Sequence, residues 1–121
     1  MLSVKIDKQN RIAVFEPQGA LSQEDFESAS TIIDPYIAKH GKLEGLIVHT
    51  KSFPGWDSFG ALISHLRFAK DHHKKITRLA IATDSQIGNF AKMIGSHFVS
   101  AEIMNFSYEE LEQAKKWVIN Q

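Results

Sequence analysis

The sequence predicts an α/β fold, a mixed and mostly parallel five-stranded sheet flanked by four helices, with residues 1–121 forming one domain. Three observations lead there. Leu46-Ile47-Val48-His49 and Leu79-Ala80-Ile81-Ala82 are short, continuous apolar runs with β-branched members, the pattern of strands covered on both faces. Segments with helical spacing alternate with these runs, which requires right-handed crossovers and parallel neighbours. The length, 121 residues, is that of one ordinary domain, which buries roughly two-thirds of the surface its unfolded chain exposes.

Each element has its own signal. Leu2, Val4 and Ile6 alternate with Ser3, Lys5 and Asp7, the period of a half-buried strand. Asp7-Lys8-Gln9-Asn10 is turn material, and Ile12-Ala13-Val14-Phe15 resumes as a strand, so a hairpin is expected, ended by Pro17 and Gly19. Ser22 with Asp25 three residues on approximates a capping box. The helix it opens carries Phe26, Ala29, Ile33 and Ile37 at helical spacing and stops at Gly41. Pro35 lies inside it. A proline lacks the amide donor and crowds the preceding turn, so a kink or restart is expected near Asp34.

Residues 57–71 place Phe59, Leu62, Ile63 and Leu66 on one helical face, and residues 86–98 repeat the device with Ile87, Phe90, Ala91, Ile94 and Phe98. Glu102-Ile103-Met104 reads as the last strand. Ser107 and Glu110 form a capping box for a final helix through Leu111, Ala114 and Val118. The expected order is β-β-α-β-α-β-α-β-α, with the first strand antiparallel to the others.

Composition narrows the function. Fourteen basic residues balance fourteen acidic ones, so the strong positive field of a nucleic-acid binder is missing. The absence of cysteine excludes disulfides, thiolate metal sites and a cysteine nucleophile, and fits a reducing compartment. The first residues show no basic region followed by an apolar stretch, and no apolar run approaches the roughly 20 residues that span a bilayer. A cytoplasmic protein is expected.

The stretch from Leu46 through Phe53-Pro54-Gly55-Trp56-Asp57-Ser58-Phe59-Gly60-Ala61-Leu62 resembles the strand–loop–helix centre of a STAS domain. In the anti-sigma-factor antagonists of that superfamily, Asp-Ser-Ser-Gly opens this helix and its second serine is the regulatory phosphorylation site. This chain has Asp57-Ser58-Phe59-Gly60. Phe59 therefore stands at the switch position, and Ser58, one residue earlier, is turned by about 100° around the helix. His49 stands where those antagonists commonly carry an aspartate. With the Gly55-Trp56 loop and the closing pattern of Phe98, Ala101-Glu102, Phe106 and Ala114 to Trp117, the chain is similar to the SpoIIAA-like branch. That resemblance implies a STAS-like fold and points toward binding of apolar small molecules or transient membrane contact. It implies no reaction.

The candidate ligand site starts from the aromatic loop. Phe53 and Trp56 follow a central strand, at the carboxyl end of the sheet, where open α/β sheets bind ligands. Large apolar side chains in a loop either cap the core or line an apolar cavity. In the second reading Trp56 and Phe59 form a gate, with Phe53 and Leu62 beside it and Phe90, Met93, Ile94 and Phe98 as the wall. The wide apolar stripes of the two helices favour it, although such side chains also stabilise a core by roughly 1.5–3 kcal/mol each.

The six histidines have no His-Glu-x-x-His or similar spacing, so no metal site is expected, and His72-His73-Lys74-Lys75 reads as a helix C-terminus complementing its dipole. His65, Phe68, His72 and Lys75 share one stripe suited to lying on a membrane surface. No nucleophile elbow, phosphate loop or dinucleotide fingerprint is present, and His49 has no evident nucleophile or orienting carboxylate. The sequence thus points to a non-catalytic module, without cofactor, for an apolar small molecule or lipid, with possible peripheral membrane contact. The alternative is a protein-interaction or homodimerising module without phosphorylation control. Nucleic acid is not an expected partner.

Overall fold

The computed structural model describes residues 2–19, 21–40, 43–51, 76–84 and 102–120. Strands β1 (Leu2–Asp7) and β2 (Ile12–Pro17) form the expected hairpin. Its turn is built by Asp7, whose carboxylate accepts the Gln9 and Asn10 amides at 3.1 and 3.2 Å and the Asn10 side chain at 2.8 Å. Arg11 closes the turn in the left-handed region (φ 59°), which no sequence signal announced for a residue with a Cβ. Pro17 ends β2 as expected, as its last residue, paired with Leu2. A missing amide is tolerated at that position.

Strands β3 (Leu43–His49), β4 (Ile76–Ala82) and β5 (Glu102–Phe106) follow in parallel, giving one sheet in the order β1-β2-β3-β4-β5. The mixed, mostly parallel sheet with an antiparallel first strand is as the sequence predicts. The strands run two to three residues longer than their apolar runs. Backbone pairing continues where a side chain turns polar, as at Asn105 paired to Ile81.

Helix α1 (Gln23–His40) joins β2 to β3. Its predicted cap is present: Ser22 N donates to the Asp25 carboxylate at 2.8 Å while Asp25 N donates back to Ser22 Oγ at 3.3 Å. Pro35 does not divide the helix, which runs through as one 18-residue element. Ala29 and Ile33 before the proline and Tyr36 after it are all buried, so packing holds both halves against the same support. The helices expected over residues 57–71 and 86–98 lie outside the described residues. Among the described residues, no helix is long and apolar enough to cross a membrane.

A 3-10 turn (Tyr108–Glu110) leads into helix α2 (Leu111–Ile119). Ser107 N donates to the Glu110 carboxylate at 2.9 Å, as the capping box predicts. Helix α2 lays Ala114 and Val118 on Ile12, Val14, Ile47 and Ala80, with Leu111, Phe106 and Trp117 around them. The alternate residues Ala13, Phe15, Leu46, Val48, Leu79 and Ile81 point to the other face, and all are fully buried. Ile6, paired with Ala13 and therefore on that second face, lines the groove beside α1.

Two features seat α2. Arg78 donates to the carbonyls of Trp117 and Asn120, the latter at 2.8 Å, and its guanidinium lies 4.8 Å over the Trp117 ring. A cation thus satisfies the last carbonyls of the helix and its negative dipole end. Beneath the helix, Gly45 has no side chain because none fits. A Cβ there would fall inside the Val118 side chain and 3.2 Å from the Arg78 carbonyl oxygen. Gly45→Ala is therefore expected to destabilise the fold by about 1–3 kcal/mol, the usual cost of overpacking. In denaturant titrations, adding Val118→Ala should recover part of that loss, so the two changes cost less together than their sum.

Candidate functional site

The carboxyl ends of β2, β3 and β4 are tied together by two threonines. Thr50 donates its amide to Ala82 O at 3.1 Å and its hydroxyl to Pro17 O at 3.0 Å. Thr83 donates its amide to Phe106 O at 2.9 Å. Asp84 then accepts the Tyr108 amide at 3.1 Å, which fixes the turn before α2 at the same edge of the sheet. These bonds frame a cleft of about 230 Å³ lined by Glu16, Pro17, Gln18, Gly19, His49, Thr50, Lys51 and Tyr108.

His49 is the centre of this edge. Its ring stacks on Tyr108, with centroids 4.4 Å apart and planes within 6°, and its side chain is only 10% exposed. Nδ1 lies 3.2 Å from the Glu16 carboxylate and Nε2 lies 3.0 Å from the Tyr108 carbonyl oxygen. Both partners accept hydrogen bonds. A neutral imidazole donates to one of them, and only the imidazolium donates to both. Lys5 approaches the other Glu16 oxygen at 3.3 Å, so the carboxylate is bracketed by two basic groups.

His49 is thus partly buried and hydrogen-bonded, and Glu16 is an orienting carboxylate that the sequence did not reveal. Glu16 is 33 residues away and Tyr108 59 residues away, separations at which no sequence spacing carries information. The one available signal is parity: Glu16 continues the alternation of Ile12 and Val14, as His49 continues that of Gly45 and Ile47, so paired strands bring both to one face. The arrangement orients a histidine with a carboxylate, but the second ring nitrogen faces a backbone carbonyl rather than a nucleophile. It is a clasp joining β2, β3 and the turn that leads into α2.

The predicted ligand-site residues Phe53, Trp56, Phe59, Leu62, Phe90, Met93, Ile94 and Phe98 lie outside the described residues, as do His65, Phe68, His72 and Lys75. In sequence, Phe53 follows two residues after Lys51, a lining residue of the cleft. Among the described residues, no group of three or more histidines and carboxylates could hold a metal ion.

Electrostatics sets the pH response. Burial pushes the Glu16 carboxyl up, but hydrogen bonds from His49 and Lys5 outweigh it and hold it below its ordinary value. The Asp7 carboxyl is also lowered, chiefly by the Asn10 side chain. Groups lowered in the folded state contribute stability above their unfolded pKa and lose it as pH falls through the folded one. Glu16→Gln should therefore cost about 1–2 kcal/mol at neutral pH. That difference should shrink as the pH drops below 4.5, the ordinary value for the group, in urea titrations run at stepped pH. His49→Phe, which keeps a ring on Tyr108 but donates to neither acceptor, should cost about 1–3 kcal/mol in the same measurement.

Comparison with known proteins agrees with this architecture. No curated protein matches significantly. Among solved structures, the fold is similar to that of an uncharacterized protein from the DUF3478 family with a SpoIIAA-like fold, from Shewanella loihica PV-4. That chain is 18% identical, the TM-score is 0.60, and the match covers 98% of this chain and 92% of the other. The family model described as SpoIIAA-like matches residues 12–119, from the first residue of β2 to the last of α2. With its parallel sheet and closing helix in the expected places, this chain belongs to the SpoIIAA-like family.

Proposed function

We propose that this chain is a non-catalytic binding module that takes an apolar small molecule or lipid at the carboxyl edge of its sheet. The observation that carries the reading is the cleft at that edge. Open α/β sheets bind ligands beyond the carboxyl ends of their strands, and β2 and β3 end on this cleft. Its one histidine is already engaged at both ring nitrogens, which favours a wall over a catalytic group. Lys51, exposed on the cleft wall, offers a polar contact for one end of a ligand. The sequence supplies an apolar complement directly after Lys51, in Phe53 and Trp56, and later in Phe59, Leu62, Phe90, Met93, Ile94 and Phe98. An amphipathic molecule suits that combination, and transient contact with a membrane would be its means of loading.

The phosphorylation switch of the anti-sigma-factor antagonists plays no part in this reading, because Phe59 replaces the acceptor serine. Native mass spectrometry of gently purified protein is the direct test. A mass above that of the bare chain is expected, reduced by Lys51→Ala and abolished in a folded Trp56→Ala, Phe90→Ala variant. A bare chain that also takes up nothing from vesicles of mixed neutral and anionic lipid would sink the proposal. A co-purifying polypeptide in its place would turn the assignment to a protein-interaction module.

A further inference from the structure

The outward surface of α1 is divided by charge about an apolar centre. Glu24 and Glu27 line a shallow hollow of about 600 Å³ with Ser28, Thr31 and Ile32, and its charged residues are both acidic. A second groove, about 640 Å³, runs between α1 and β1 past Ile6, Ile32, Pro35 and Tyr36. Its charged rim is made of Lys8, Lys39 and His40, all basic. The two hollows meet at Ile32, which is 41% exposed, one of three large hydrophobic side chains so exposed among the described residues. Beside it, Thr31 donates its hydroxyl to the Glu27 carbonyl at 2.8 Å, which leaves its methyl group free for packing. β1 is the terminal strand of the sheet, so the groove lies at a sheet edge.

We propose that this surface is the interface of a symmetric dimer, in which α1 lies antiparallel to α1 of a second copy with Ile32 at the twofold axis. A twofold interface must be self-complementary, residue i meeting residue j while j meets i. This one meets that condition. Glu24 lies eight residues before Ile32 and Lys39 seven after it, about 12 and 10 Å along the helix and on the same flank, so an antiparallel partner sets acidic half against basic half twice. Compensation of the helix dipole accounts for Glu24 near one end and Lys39 near the other. It does not account for an exposed isoleucine midway, nor for Lys8, which adds a cation from outside the helix to the basic groove. A parallel partner would oppose like charges, which excludes that arrangement.

Sedimentation velocity over a concentration series tests the proposal on the intact chain. The native protein should move from one-chain to two-chain mass as concentration rises, less readily at high salt because the charged rims are exposed. Ile32→Lys, at an exposed position, should raise the dissociation constant by about tenfold or more, as expected for like charges brought together at an axis. Glu24→Lys with Glu27→Lys makes both halves basic, and Lys39→Glu with His40→Glu makes both acidic. Each pair of changes alone should give monomers, and an equimolar mixture should restore a dimer containing one chain of each. Circular dichroism confirms that the variants fold. A native chain that stays monomeric to about 1 mM, the weak end of specific association, overturns the inference. So does a dimer indifferent to Ile32→Lys, or a charge-swapped mixture that stays monomeric.

Discussion

Burial of the parallel strands on both faces is the constraint from which the rest of this structure follows. Leu46, Ile47 and Val48, and Leu79 through Ala82, have no exposed surface on either side of the sheet. A strand in that position has its backbone satisfied by neighbours but must have each face covered by another element. One face is covered by α2, and the contact is close because the strands beneath are nearly flat there. Gly45 and Ala80 contribute almost no side chain, and Val118 occupies the space above Gly45. Small residues in the sheet and a short helix are thus one solution, and Arg78 locks it by capping the helix from β4.

The same seating places a polar edge where a ligand can reach it. Helix α2 starts at the carboxyl end of the sheet and finishes near Arg78, so the turn that begins it stands beside His49. Tyr108 is held there by three independent means: its amide on Asp84, its carbonyl on His49 and its ring stacked on the imidazole. Glu16 and Lys5 extend the network across β2 to β1. A chain of such contacts makes the edge rigid, and a cleft with rigid walls binds without first being ordered. Histidine at the end of β3 therefore has a structural reason: its ring stacks on Tyr108 and brings its two nitrogens to Glu16 and to the Tyr108 carbonyl.

Much of this architecture was legible beforehand. The hairpin alternation, the two apolar runs and the capping residues at Ser22 and Ser107 each correspond to an element found in place. Those signals are local, a matter of period and of backbone groups satisfied within a few residues. The departures are equally physical. Proline at position 35 carries a local cost that tertiary packing of Ala29, Ile33 and Tyr36 overrides. Arg11 occupies a left-handed conformation that its sequence neighbourhood does not demand, closing the turn that Asp7 organises.

By itself, then, the amino-acid sequence determined the order and type of the described elements and the mixed sheet, which rest on periodicity and short-range hydrogen bonding, and the family, which rests on its motifs. Only the tertiary structure decided which residues meet: Glu16 with His49, His49 with Tyr108, Gly45 with Val118, Arg78 with the end of α2. Each pairing spans more than 30 residues and joins different elements. Such encounters depend on register and on which face of a strand a side chain takes, quantities that become definite when the strands have paired and α2 has been laid across them.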